Sequence, residues 1–413
     1  MIARHLLHLS ALTALAVAPA AAQTANNTLV LTHANVVDGV SATVVRDATI
    51  LISNGRIQSI RAGGAVPADV AVIDLGGRWV APGLIDAHTH ISTLANARRA
   101  LHSGVTTVRS ASVPAYQDVE MREMARAGQI AAPDVLATGV FVTPNLGETL
   151  LADARLGTLA GGVNTPEQLR ALVRVNLDHG VDWIKTRGTE RAGLPDTDPR
   201  KQVYDERELR AIVEEAATKN VPVMAHAHGD EGAYAAVAAG VKSIEHGTYL
   251  SDSTLRLMKQ KGTWLVPTLS TIWDLTQPGG DYDDPVLVLR GQHMAPRIED
   301  TIRRAHAMGI RIAAGADTDY GAESVTRISH EVMRFRGLGL SAVDALATAT
   351  SGAAELIGVG TKTGRIAVGY EADLIVLEGN PLDDAAWLQD VTVVITNGRV
   401  ALNRLPFGRR PTR

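Results

Sequence analysis

Two apolar patterns divide the chain. Near the N-terminus, segments at 28–32, 48–52 and 57–60 are short, β-branched and broken by turns, with Asn54-Gly55 as a hairpin signal. The last fifth has the same texture, at 372–377 and 391–395 with Asn397-Gly398 behind them. Two β-rich ends flanking a different middle predict that the ends pair into one small β-sandwich, formed by 23–80 and 364–413.

Between them, short apolar runs alternate with segments of helical period. The strand candidates lie around 80–88, 104–110, 134–139, 181–187, 221–227, 242–246, 263–269 and 311–316. Helices are expected at 167–179, 205–220, 230–239, 253–261 and 296–308, and then at 341–349, with Ser341 as N-cap, and 353–356. Such alternation implies parallel pairing with right-handed crossovers. Eight strands in this length predict an α/β fold, a (β/α)8 TIM barrel over 81–363, whose chemistry would sit at the C-terminal strand ends.

Polar residues recur at those ends. Ala81-Pro82-Gly83-Leu84-Ile85-Asp86-Ala87-His88-Thr89-His90 reads as a turn, a buried strand and two histidines one residue apart. Alternate residues of a strand share a side, so His88 and His90 present two imidazoles to one point. A lone His-x-His carries little weight. Here, however, Lys185, His226, His246 and Asp317 also end predicted strands. Lysine is almost never buried without a partner. The chain has seven lysines in all, which makes one at a strand end conspicuous. His228, two residues past His226, shares its side. Histidines 102, 179, 306 and 330 fall on predicted helices and read as packing or surface residues.

Composition narrows the setting. Apolar content is 46% and aromatic content 4%, so the core must be aliphatic, as suits a parallel sheet covered on both faces. A net charge of -4 without a basic block excludes a nucleic-acid binder of the usual kind. With no cysteine there is no disulfide, thiol nucleophile or thiolate ligand. Residues 1–22 have Arg4, an apolar run over 6–17 and small residues up to Ala22, the pattern of a cleaved secretory signal peptide. The expected location is periplasmic or secreted, with no membrane span after cleavage.

The order His-x-His, Lys, His, His, Asp, from about Leu29 to about Val400, resembles the amidohydrolase superfamily. The likeness is greatest to its imidazolonepropionase-like and prolidase-like branch with a carboxylated lysine, which includes ochratoxin-type amidases. The segments 36–39 and 364–373 resemble the landmarks of that family's terminal β domain. The resemblance implies that His88, His90 and Asp317 hold one divalent metal ion and that His226 and His246 hold a second. Lys185, N6-carboxylated by carbon dioxide, would bridge them, because an ammonium has no acceptor for a cation. Nitrogen and oxygen ligands suit zinc. A water between two such cations loses a proton near neutral pH, and Asp317 would carry that proton to the departing amine. For His228, a ligand role, a hydrogen bond to the substrate carbonyl and a place on the rim stay open. Asp86 and Glu245 would orient ligands or be ordinary barrel salt-bridge residues, while Arg187 and Arg191 are either candidates to grip a substrate carboxylate or surface arginines.

The chain departs from relatives at Ser110, where Asp is usual, and at Thr143-Pro144-Asn145, where Gly-Gly-His is frequent. The expected activity is hydrolysis of an amide bond in a dipeptide, an N-acyl amino acid or an ochratoxin-like aryl amide. Cyclic-amide, lactone or ester hydrolysis is the alternative, and a non-catalytic periplasmic binding protein the reading from another class. Homo-oligomer formation is compatible with the sequence but not specified by it.

Overall fold

The computed structural model describes residues 28–277, 279 and 282–405. The leader read at 1–22 lies outside the described residues. Five strands precede the barrel: β1 (Thr28–Val37), β2 (Val44–Ser53), β3 (Arg56–Ala62), β4 (Ala71–Asp74) and β5 (Trp79–Pro82). Seven follow at its centre: β6 (Leu84–Thr89), β7 (Val105–Ser110), β8 (Asp134–Leu136), β9 (Ile184–Arg187), β10 (Val223–Ala227), β11 (Ser243–His246) and β12 (Trp264–Val266). Then β13 (Leu374–Leu377), β14 (Val391–Thr396) and β15 (Arg399–Asn403) return to the first group.

The barrel strands pair in parallel as β6-β7-β8 and β9-β10-β11-β12. Three backbone bridges join the two arcs: Val142 to Thr186, Leu265 to Ile312 and Thr89 to Thr318. The ring is therefore closed by residues 311–318, where an eighth regular strand was expected. That segment does hydrogen-bond on both sides, from Leu265 N to Arg311 O (3.0 Å) and from Ala87 N to Ala314 O (3.1 Å). It fails as a strand because Ala316 N donates to the Asp86 carboxylate (3.0 Å) rather than to a neighbouring carbonyl. Asp317 then turns into the left-handed region (φ 51). β8 and β12 are also shorter than the apolar runs suggested, three residues each.

Helices cover the outside. Pro166–Asp178 and Glu206–Ala217 begin with capping boxes, Thr165 with Gln168 and Asp205 with Glu208. Asp230–Ala239 and Asp252–Lys261 follow β10 and β11. Ala342–Thr348 starts at Ser341, whose Oγ accepts from Asp344 N (3.0 Å). One helix is much longer than expected, Pro285–Ala307 rather than 296–308. A proline removes one helical donor and normally marks a start, yet Pro296 lies inside this helix. The buried stripe Leu287, Met294, Ile298, Ile302 and Ala305 runs through it, and packing of that stripe outweighs the lost bond. No helix among the described residues is long and apolar enough to cross a membrane.

The two ends of the chain pair into one small β domain. Hydrogen bonds link its strands continuously in the order β15-β14-β13-β5-β1-β2-β3, with β4 also on β1. β1 bends at bulges around His33 (φ 52) and Ala34, so its first half pairs with β4 and its second with β5. The bent sheet curls around a core that includes Ile50, Ile57, Leu374 and Ile395. Its two Asn-Gly turns meet back to back, since a Cβ on Gly398 would sit 2.6 Å from the Gly55 Cα. β5 belongs to this sheet, and β6 enters the barrel one residue after it.

Candidate metal centre

The C-terminal ends of β6, β9, β10 and β11, with residues 311–318, converge on one buried cluster. His88 is fixed first. Its Nδ1 lies 2.7 Å from Glu245 Oε2, which can only accept, so Nδ1 carries the hydrogen. Nε2 then points its lone pair at the cluster, 3.4 Å from Lys185 Nζ and 3.3 Å from Asp317 Oδ1. His90 is oriented likewise: Nδ1 donates to Ser112 O (2.9 Å), and Nε2 is 3.1 Å from Asp317 Oδ1. In His246 and His228 the Nδ1 atoms meet the hydroxyls of Thr268 (2.7 Å) and Thr248 (2.9 Å), and their rings stack at 4.5 Å. His226 is turned the other way. Its Nε2 donates to Glu190 O (2.9 Å), which leaves Nδ1 as its lone-pair atom.

Two groups of ligand atoms result, each within 4.8 Å: His226, His228 and His246, and His88, His246 and Asp317. Lys185 stands beside the second. His228 therefore joins the histidine cluster and does not stand apart from it. His90, partly exposed, reaches the cluster through Asp317. The strand ends bend sharply to achieve this, with His246 (φ 73), Thr268 (φ 48) and Asp317 (φ 51) all in the left-handed region. Such backbone costs free energy and is held by the surrounding packing.

Burial sets the protonation pattern. It lowers the Lys185 ammonium to about 8, against the pull of the Glu245 and Asp317 carboxylates. It also drives His228 down to about 3 and His226 and His246 well below the usual imidazole range, so these three are neutral. For Asp317, burial favours the acid form, but where the facing Nε2 atoms of His88 and His90 carry hydrogens, the charge and hydrogen bond of His88 and the hydrogen bond of His90 outweigh burial and hold the carboxyl well below its ordinary range; bound cations would take the place of those hydrogens. Glu245 is pushed up by burial and pulled down further by Arg109 and His88, to about 2. Burial raises Asp86 to about 6, despite hydrogen bonds from Ala316 N and the Tyr320 hydroxyl.

In the layer beneath the histidines the sequence points to Glu245 but not to Arg109. Arg109, fully buried in β7, donates from Nη2 to both Glu245 oxygens (3.0 Å), from Nη1 to Ser243 Oγ (3.1 Å) and from Nε to Ala87 O (2.7 Å). Ser243 Oγ donates to Glu245 Oε1 (2.5 Å). A charged residue in an apolar parallel strand was the available signal. Thr248 and Thr268 carried none, because threonine is ordinary after a strand. Ser110 is buried and accepts from the Thr138 hydroxyl (3.2 Å).

Of the two arginine candidates, Arg187 ends β9 and lies over the Phe141 ring (4.6 Å). Burial, then the charge of Arg191, lowers it to about 10. Arg191 is exposed on the following loop.

The donor set is imidazole nitrogen and carboxylate oxygen in a buried, converging arrangement, and it fits one or two divalent cations. Comparison with known proteins gives the family. The sequence profile described as Amidohydrolase family matches residues 79–401. The ochratoxinase of Aspergillus niger is 30% identical over 314 residues, 71% of this chain and 64% of that protein, so less than two thirds of its length is matched. Its crystal structure superposes with a TM-score of 0.77, 26% identity, and coverage of 92% of this chain and 96% of that one. The crystal structure of a Xaa-Pro dipeptidase with methionine bound in its active site gives a TM-score of 0.80 at 28% identity, covering 90% and 99%. The imidazolonepropionase of Micrococcus luteus is 24% identical over 385 residues, 83% of this chain and 93% of that protein.

Proposed function

The chain belongs to the amidohydrolase family, and from that premise we propose that it is a metal-dependent hydrolase of an amide bond in a small molecule, exported through the leader at 1–22. The observation that carries the reading is Lys185. Its Nζ is buried 3.4 Å from His88 Nε2, and no carboxylate lies within ion-pair distance of it among the described residues. A buried ammonium without an anion is costly. A neutral amine carboxylated by carbon dioxide becomes a two-oxygen anion among lone-pair donors, which removes that cost in the presence of cations. His88, His90 and Asp317 would hold one ion, His226 and His246 the other, and Lys185 both. Zinc fits the ligand types.

When bound, such ions supply an ionised water and polarise the scissile carbonyl. The protein's own groups do the rest. Asp317, held anionic, accepts the proton of the attacking water and delivers it to the departing nitrogen. His228 would donate a hydrogen bond to the substrate carbonyl oxygen. In this role the Thr248 hydroxyl, 2.9 Å from His228 Nδ1, would donate to that atom, which puts the ring hydrogen on Nε2 for the substrate carbonyl oxygen. Arg109 and Glu245 hold the His88 tautomer. The substrate class we infer is dipeptides, N-acyl amino acids or ochratoxin-like aryl amides.

The test is metal analysis of the purified protein, followed by hydrolysis of a dipeptide and N-acyl amino acid library. We expect about two ions per chain and turnover that a chelator abolishes and zinc restores. Protein that binds no divalent metal would end this reading.

A further inference from the structure

We propose that Arg187 is a receptor for a carboxylate, so that the site selects amides carrying a free carboxylate next to the scissile bond. This rests on the amide-hydrolase reading above and names its substrate class. Arg187 and Lys185 are alternate residues of β9 and leave the strand on the same side. Both side chains lie against one ring, Phe141, with the Lys185 Nζ at 5.7 Å and the Arg187 Cζ at 4.6 Å from its centre. The guanidinium is thus aimed at the centre and held by an aromatic face, an arrangement that suits planar recognition of an anion.

What Arg187 lacks is a partner. It is half-buried, its Nε is sealed from solvent, and that atom has no hydrogen bond. No carboxylate pairs with its side chain among the described residues. A donor left in this state costs free energy unless a ligand completes it. The acid best placed to neutralise it, Glu190, is engaged elsewhere: Oε1 accepts from Lys201 Nζ (2.7 Å) and Oε2 from Asp198 N (2.9 Å). Arg191, four residues on and exposed, has no ion pair either among the described residues. Two guanidinium groups thus stand on this loop without a paired carboxylate among those residues.

The loop that follows β9 is fixed. Arg290, on the helix Pro285–Ala307, donates to the carbonyls of Ala192 (2.6 Å), Leu194 (2.6 Å), Pro195 (3.2 Å) and Thr197 (2.5 Å). Glu190 O receives His226 Nε2 (2.9 Å). The receptor is built before any ligand arrives, which lowers the ordering cost of binding.

Two measurements test this. In the first, the metal-loaded protein is given N-acyl amino acids and the matching amino-acid amides. The acids should have a kcat/KM about tenfold or more higher. Arg187→Gln should erase that preference at unchanged metal content, Arg187→Lys should keep part of it, and Arg191→Gln should change it little. In the second, calorimetry follows phenylalanine and phenylalaninamide binding to the wild type and Arg187→Gln. Wild-type protein should favour the carboxylate and the variant should not. Equal cleavage of acid and amide by the wild type, or a preference that survives Arg187→Gln, would overturn the proposal and leave the hydrolase reading standing. Carboxylate binding lost in Arg187→Gln, from a protein that cleaves no amide, would retain the receptor and remove the hydrolase.

Discussion

His88 Nδ1 and Glu245 Oε2 lie 2.7 Å apart at the floor of the barrel mouth, both fully shielded from solvent. Their sequence separation is large, yet β6 and β11 bring them together, and Arg109 completes the pair from β7. The carboxylate fixes the imidazole tautomer and thereby the direction of the Nε2 lone pair.

Glu245→Gln tests that role. It keeps the size of the side chain but leaves the Arg109 guanidinium buried without its anion, a loss of about 3–5 kcal/mol in comparable buried pairs. We expect a lower melting temperature and divalent-metal affinity about 10–100-fold weaker. Unchanged affinity measured against a competing chelator would show that His88 needs no such support.

Lys185 separates bridging from packing. Lys185→Ala should lose most of the bound metal and activity. Lys185→Arg should behave nearly as badly, because a guanidinium is not carboxylated. Elemental analysis that finds full metal content in either variant would remove Lys185 from the ligand set.

Asp317→Asn should fold, retain part of its metal and lose turnover by about 10²-fold or more, since the amide takes up no proton. His306→Ala, on the outer helix Pro285–Ala307, should cost little. Near-normal turnover in Asp317→Asn would exclude this carboxylate as the proton carrier.

The parts of the site that sequence exposes are those set by strand period. His88, Lys185, His226, His246 and Asp317 each end an apolar run, and the period states which side they face. It does not state which partner waits across the barrel. Glu245 is legible as a residue beside a ligand, but neither its contact with His88 nor Arg109 behind it is. The same limit explains the segment 311–316. Its apolar pattern is that of a strand, but a side-chain acceptor, Asp86, takes the backbone donor of Ala316. The helix through Pro296 has another origin, tertiary packing that overrides a local signal. Arg187 and Arg191 look equivalent in sequence, and only the placement of Phe141 and Glu190 tells them apart.

The loop clamp is directly accessible to measurement. Arg290→Ala removes one guanidinium that satisfies four loop carbonyls. Trypsin sites at Arg191, Arg200 and Lys201 should then be cut several-fold faster than in wild type, because local opening of the loop costs less. KM for carboxylate substrates should rise more than kcat falls. Identical digestion patterns would show that the loop is held by other contacts.

Stability should depend on pH through Glu331, which is buried in the helix Ile328–Gly337 and lies far along the chain from every metal ligand except Asp317. Its oxygens accept from Leu269 N (3.2 Å) and Ser270 N (2.5 Å), at the start of the helix Leu269–Asp274. Burial raises this carboxyl to about 7, and the hydrogen bonds from Ser270 and Leu269 only partly oppose it. An acid whose pKa is higher folded than unfolded binds protons more tightly in the native state. Its contribution is complete below the unfolded pKa of about 4.5 and is lost as pH rises through about 7. Glu331→Gln is neutral throughout and keeps an acceptor for one of the two amides. Wild type minus variant cancels the other titrating groups, Asp86 among them. That difference should move in favour of the variant by an amount on the order of 1 kcal/mol per pH unit between about pH 5 and 7, then level off. Denaturant melts of both proteins at several pH values measure it, and parallel curves across that range would show that Glu331 does not titrate there.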